Sequence, residues 1–160
     1  MNFEDTIIDV FKVPVMSIET TIDVKPLLNY TYDLKSKHEG RHFSNVAGWQ
    51  SLDLDRDLDV FKEFRSTVET LANHFHKNLK LKKEYTQILD NFWINVNPIG
   101  GSNKPHSHPG SVFSGVLYLQ TPLGCGNLNF VHPNKSHSYH FNQDTIEELG
   151  SRTQLGFIHM

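Results

Sequence analysis

Apolar residues recur at intervals of three and four between Leu58 and Leu79, and this is the clearest pattern in the chain. The members of the stripe are Phe61, Phe64, Val68, Leu71, Phe75 and Leu79. Because side chains at this spacing share one face of an α-helix, the pattern predicts an amphipathic helix. We expect this helix to be structural, with its stripe against a sheet and with His74 and His76 in solvent or at the rim.

Weaker signals precede this helix. The β-branched residues of Thr6–Ile18, together with Pro14, predict an edge strand, because proline cannot donate to an inner ladder. Asp23 can cap a helix that continues to about Lys35, and Gly40 would stop it.

The segment from His42 to Leu54 is polar and rich in small residues, which predicts a loop. It contains one large aromatic residue, Trp49. A tryptophan in such a loop either covers the edge of the core or contacts a substrate, and we favour the first alternative.

Three strands are predicted in succession beyond residue 90, at Phe92–Asn97, Val112–Gln120 and Asn127–Val131, with Gly, Pro and Asn in the turns. In the second of these, alternate residues give one face with polar tips and one that is almost wholly apolar. Helices followed by a run of short strands indicate an α+β domain with a jelly-roll-like core.

Composition narrows the class of protein. The 160 residues predict a single domain, and 38% hydrophobic with 21% charged residues is typical of a globular protein. The net charge of -3 gives no electrostatic reason to expect nucleic acid or an anionic membrane as partner. Cys125 is the only cysteine, so no intramolecular disulfide can form. With no long apolar run or signal peptide recognised, we expect a cytoplasmic protein.

Candidate chemistry lies between the first two predicted strands, at His106-Ser107-His108. In extended backbone this spacing points both imidazoles to one face, which is the start of a metal site. His74 and His76 have the same spacing, but in a helix their side chains lie roughly 200° apart and cannot share a metal. The alternatives for His106 and His108 are turn capping and simple surface exposure.

The segments that surround this pair resemble a known family. They are Trp93-Ile94-Asn95-Val96-Asn97, His106-Ser107-His108-Pro109, Ser114-Gly115-Val116-Leu117-Tyr118-Leu119 and Gly126-Asn127-Leu128-Asn129-Phe130. In that order they resemble a family of small 2-oxoglutarate- and Fe(II)-dependent oxygenases of bacteria and phages, related to the prolyl 4-hydroxylases. The segments 44–51 and 10–15 are similar to its N-terminal elements, so the resemblance extends from about residue 10 to about residue 134.

The resemblance implies a double-stranded β-helix (jelly-roll or cupin-like) core over residues 91–160, with residues 1–90 as N-terminal strand and helical support. It implies Fe(II) as cofactor, and 2-oxoglutarate, O₂ and a peptidyl or small-molecule substrate as partners. His106 stands at the first metal ligand, and His108 at the position where relatives have a carboxylate, unless it only supports the site. Tyr118, and Asn95 in the same region, are the implied 2-oxoglutarate contacts. A phage-encoded relative would act in the host cytoplasm.

The tail departs from the family pattern. The distal histidine ligand, and the basic residue that pairs with 2-oxoglutarate, are not recognised around His137, His140, Arg152 or His159. We therefore expect the last strands to be missing and the open sheet edge to be covered by self-association or by Thr153–Met160 folding back. The alternative function is a catalytically silent relative that binds a metal or is structural, with a metal-storing cupin-like protein as a weaker third.

Overall fold

A computed structural model describes residues 13–130 and the backbone of residues 158 and 159. The helical elements are α1 (Lys25–Lys37), a 3-10 turn (Asp59–Phe61) and α2 (Lys62–Asn78). The strands are β1 (Asn45–Val46), β2 (Trp49–Gln50), β3 (Asn95–Val96), β4 (Ser102–Asn103), β5 (Asn129–Phe130) and β6 (Ile158–His159). They pair antiparallel as β1–β4, β2–β3 and β5–β6. The described residues thus show an α+β fold, and their three small sheets do not close into a barrel.

Helix α1 begins where the sequence predicts. The carboxylate of Asp23 accepts a hydrogen bond from the Lys25 amide at 3.0 Å, which satisfies one of the free donors at the helix start. Gly40 follows the helix with a positive φ of 78°, and a Cβ there would collide with the Gln50 carbonyl. Only glycine fits this close approach. Of the strand predicted over Thr6–Ile18, residues 6–12 lie outside the described part and residues 13–18 form no strand.

The chain divides into two compact units, one of Met1–Tyr30 with Leu54–Phe92 and one of Thr31–Asp53 with Trp93–Met160. In the first, Phe61 is buried with 1% of its surface exposed. Its ring meets those of Tyr30 and Phe92 edge to face, with centroids 4.9 Å apart in both pairs. The remaining members of the apolar stripe on α2 are half-buried. The helix prediction is confirmed, although the described residues of this unit contain no strand for the stripe to cover.

Polar side chains on α2 bind the backbone that returns beside it. Asn73 Nδ2 donates to the Gln87 carbonyl at 2.8 Å, and Asn73 Oδ1 accepts from the Gln87 amide at 2.9 Å. One turn earlier, Glu69 accepts from the Leu89 amide at 3.1 Å, and this bond, helped by Arg65, lowers the pKa of the Glu69 carboxyl. The helix therefore provides the hydrogen bonds that a neighbouring strand would otherwise make.

His76 completes this row of contacts and corrects a prediction. Its side chain is buried rather than solvated, whereas His74 is exposed as expected. The Nε2 of His76 lies 2.9 Å from the Lys82 carbonyl, which can only accept, so this nitrogen carries the proton. Nδ1 then accepts from Gln87 Nε2 at 2.9 Å. The apolar periodicity missed His76 because a helix can bury a polar side chain wherever neighbouring groups, here a backbone carbonyl and a side-chain amide, satisfy both of its nitrogens.

The prediction of a strand at Val112–Gln120 is wrong. Residues 112–120 form no regular strand, because the alternation of side chains alone cannot build a ladder. Their two faces are nevertheless as predicted. Phe113, Leu117 and Leu119 are half-buried, whereas Val112 and Val116 are exposed. The other two predicted strands are confirmed only over the short spans of β3 and β5.

The tail contributes one strand. In β6, Ile158 pairs with Phe130 and His159 with Asn129. This is the fold-back of the tail that the open edge leads us to expect, over two residues of Thr153–Met160. The other tail positions of interest, His137, His140 and Arg152, lie outside the described residues. No helix in the described ranges is long and apolar enough to traverse a bilayer.

Removing the Phe61 ring should lower the free energy of unfolding by about 3–5 kcal/mol, since the Phe61→Ala change leaves a cavity between two other rings. Phe64→Ala is the matched control, because Phe64 contacts only Phe92 at 5.2 Å in the described ring pairs and is half-buried. It should cost about 1–2 kcal/mol. Urea unfolding followed by circular dichroism measures both losses, and equal losses would contradict this account of the core.

Asn73→Ala should cost about 2–3 kcal/mol, because it leaves the amide and the carbonyl of Gln87 without their partners. Asn78→Ala is the control, since among the described residues the Asn78 side-chain amide bonds to the exposed His74, at 3.0 Å. We expect a change within about 0.5 kcal/mol for this control. Hydrogen exchange should accelerate at the Gln87 amide in Asn73→Ala alone. An unchanged exchange rate would show that the helix does not hold this segment.

Candidate functional site

Asn45 organises the loop that borders the site. Its buried side chain accepts a hydrogen bond from the Phe43 amide at 2.8 Å and donates to the carbonyls of Arg41 and Gly48 at 3.2 and 2.8 Å. The turn between β1 and β2 is tight, and a Cβ on Gly48 would collide with the side-chain oxygen of Asn97. One asparagine thus holds both ends of the loop in place.

The β2–β3 pair sets the position of Trp93. The Ser51 amide donates to the Ile94 carbonyl at 2.9 Å, and the Ile94 amide donates to the Ser51 hydroxyl at 3.0 Å. Ser51 is fully buried, so this double contact is shielded from water. Trp49 is also buried, and its indole N–H donates to the His38 carbonyl at 2.9 Å. Trp49 therefore lies in β2, and the loop predicted over His42–Leu54 contains the two short strands β1 and β2 instead. The burial of Trp49 agrees with the favoured interpretation of a cover over the core edge.

The two candidate histidines lie side by side. The ring centroids of His106 and His108 are 4.9 Å apart, with the planes at 76°. Residues 104–108 are irregular rather than a strand, so the rings meet without a regular period of two. His106 is exposed and His108 is half-buried.

The tautomer of His106 follows from its one hydrogen bond. Nδ1 lies 2.7 Å from the Lys104 carbonyl oxygen, and that oxygen can only accept. Nδ1 of the neutral ring therefore carries the proton, and Nε2 has a free lone pair. Histidines that bind metals show the same arrangement, in which a carbonyl holds one nitrogen so that the other can bind.

His108 is held against Trp93. The two ring centroids are 5.5 Å apart and the planes are 33° from parallel. Partial burial lowers the pKa of His108, and the neighbouring His106 lowers it further. The neutral form of His108 is favoured for both reasons, and only neutral imidazole can bind a metal.

A cation lies on the same aromatic group. The guanidinium carbon of Arg41 is 5.6 Å from the Trp93 ring centroid and 5.5 Å from that of Phe43. Arg41 also forms an ion pair of 2.6 Å with Asp53. The sequence analysis missed Arg41. The available signal was its position just before the segment 44–51, which resembles the family's N-terminal element.

The two predicted 2-oxoglutarate contacts are not brought to the histidines by any described contact. Tyr118 is 54% exposed. Its phenol pKa is raised by partial burial and then by the charge of the nearby Cys125 thiol, so the phenol stays protonated. Asn95 is exposed on β3, opposite Gln50. Their roles stay predictions.

The described residues fit part of an iron site. Fe(II) oxygenases use two imidazoles and a carboxylate on one face of the metal, with positions left for substrates. The adjacent imidazoles, one with a free Nε2, match the nitrogen part of this donor set. Within residues 13–130 no third histidine, cysteine or carboxylate joins them.

Asn45→Asp should destabilise the site loop by about 1–3 kcal/mol, since a carboxylate cannot donate to the Arg41 and Gly48 carbonyls. Asn103→Asp is the matched control, because Asn103 pairs with Asn45 across β1 and β4 but is exposed. Thermal unfolding of both variants measures the difference. Equal destabilisation would mean that the hydrogen bonds of Asn45 do not hold the loop.

Comparison with known proteins bears on the same region. Residues 91–159 match the model of a family described as "Putative 2OG-Fe(II) oxygenase". Searches of curated proteins and of solved structures both found no match. The matched segment contains the histidine pair. It also continues through the tail, where no family motif was recognised. The segments 10–15 and 44–51, which are similar to the family's N-terminal elements, lie outside the match. Residues 91–159 of this chain are therefore similar to the 2-oxoglutarate- and Fe(II)-dependent oxygenase family.

Proposed function

We propose that this protein is a 2-oxoglutarate- and Fe(II)-dependent dioxygenase that hydroxylates a peptidyl or small-molecule substrate. The observation that carries the proposal is the pair of adjacent imidazoles inside the segment that matches the family. Bound Fe(II) would couple the conversion of 2-oxoglutarate and O₂ to succinate and CO₂ with insertion of one oxygen atom into the substrate.

His106 and His108 would hold the iron. His106 offers Nε2, because the Lys104 carbonyl occupies its Nδ1–H. His108 is kept neutral by partial burial and by His106. Two neutral ligands leave the charge of a divalent ion uncompensated, so an anion that binds beside it gains attraction. We therefore expect 2-oxoglutarate to tighten metal binding at this site.

Tyr118 and Asn95 are the proposed contacts to 2-oxoglutarate. A phenol that stays protonated can donate a hydrogen bond to a carboxylate, and the raised pKa of Tyr118 keeps it in that form. The amide of Asn95 can donate in the same way. Tail residues outside the described part are the candidates for the third metal ligand.

A catalytically silent relative is the second candidate. The observation that favours it is that no third ligand joins the pair within residues 13–130. Such a protein would bind a divalent metal through His106 and His108 without oxidising 2-oxoglutarate.

Metal binding is tested by anaerobic calorimetric titration of Fe(II) into the full chain and its variants. His106→Ala and His108→Ala should each weaken binding at least about tenfold, because each removes a ligand. His74→Ala is the matched control, since His74 belongs to the other His-x-His pair and is exposed on α2. Equal affinity of His106→Ala and the unaltered protein would refute the site.

Turnover separates the two candidates. Release of CO₂ from 1-labelled 2-oxoglutarate, measured with Fe(II), ascorbate and O₂, should occur with the unaltered protein and fall to background with His106→Ala. Metal binding without CO₂ release would instead identify the silent relative.

A further inference from the structure

Little backbone hydrogen bonding holds the histidine-bearing segment. The Lys104 amide donates to the Ser44 carbonyl at 2.7 Å, just after β4. The next described backbone bond runs from the Ser111 amide to the His108 carbonyl at 3.3 Å. Pro105 and Pro109 have no amide hydrogen at all. The position of the His108 ring therefore depends on what its side chain contacts.

The described ring contacts of His108 are His106 and Trp93, and of these two Trp93 belongs to the well-fixed part of the chain. It precedes Ile94, whose amide and carbonyl both bind Ser51. Its ring centroid lies 5.5 Å from that of His108 and the planes are 33° from parallel, which is a tilted ring contact. A planar aromatic group on a fixed backbone segment restricts the orientation of the imidazole beside it.

Arg41 holds Trp93 from the loop. Its guanidinium lies 5.6 Å from the Trp93 centroid, within the range of a cation–π contact. The Arg41 side chain is fixed by its ion pair with Asp53, and its amide donates to the Gln50 carbonyl at 2.7 Å. At 24% exposure the Arg41 side chain is largely shielded, which strengthens both contacts.

We propose that Trp93, held by Arg41, is the positioning residue for His108. It fixes the plane in which the imidazole presents its ligating nitrogen, and so sets metal affinity without touching the metal. This inference rests on the proposed function, in which His108 is a metal ligand. The contacts themselves do not depend on any metal.

The first test uses the protein without metal. In two-dimensional NMR spectra, the His108 ring protons should be shifted upfield by the Trp93 ring current and should be assignable by their loss in His108→Ala. Trp93→Ala should abolish the upfield shift, and Trp93→Phe should retain part of it. Phe43→Ala is the matched control. It removes an aromatic ring that contacts Arg41, and Phe43 has no described contact to His108. It should leave the signals in place.

The second test measures Co(II) affinity in the same variants. Trp93→Ala should weaken binding by about tenfold or more, Trp93→Phe should recover most of the loss, and Phe43→Ala should bind as the unaltered protein does. Arg41→Gln should weaken binding less than Trp93→Ala, because it removes the support and not the stacking partner.

The outcomes separate this inference from the proposed function. If His108→Ala loses Co(II) but Trp93→Ala does not, the positioning role is overturned and the metal site stands. If the unaltered protein binds no Co(II), the proposed function fails, and the NMR signals alone decide whether Trp93 orients His108. Absence of an upfield shift in the unaltered protein overturns the inference even if Trp93→Ala does not fold.

Discussion

Antiparallel pairing between residues 49–51 and 94–96 is the constraint on which the candidate site depends. Ser51 binds both polar groups of the Ile94 backbone, so the register between the two segments cannot slip without leaving the buried Ser51 amide unpaired. The same register fixes Trp93, and Trp93 lies against His108. A regular sheet was expected here. Instead, the short β2–β3 ladder and the buried Ser51 determine where the candidate site lies.

Local signals in the sequence were sufficient for the helices. Asp23 caps α1 because its carboxylate needs only the two residues that follow it. The stripe of α2 is visible because helical period alone brings those residues to one face. The proximity of His106 and His108 was predicted from extended backbone, and their rings do meet although residues 104–108 are irregular. Features with short sequence separation are therefore the ones that the sequence revealed.

Features that need a distant partner could not be predicted in the same way. Residues 112–120 have the alternation of a strand, but a strand also requires a neighbour with free backbone groups. The burial of His76 depends on a carbonyl and an amide supplied by the returning chain. Arg41 contacts Trp93 although some 50 residues of sequence separate them, and neither residue type predicts the other as its partner. Residue spacing gave no signal in the tail, because the tail carries no recognisable motif. The family match nevertheless extends through it.

The contacts from α2 to the returning chain have a consequence for sequence variation. Asn73 binds the backbone amide and carbonyl of residue 87, and Glu69 binds the backbone amide of residue 89. Nearly every amino acid possesses these backbone groups. Most side chains at Leu89 are therefore compatible with the fold, whereas proline is excluded at both positions because it has no amide hydrogen. In related chains position 89 should therefore vary freely. Position 87 is more constrained, because the Gln87 side chain also binds His76, and helix positions 69, 73 and 76 should stay polar.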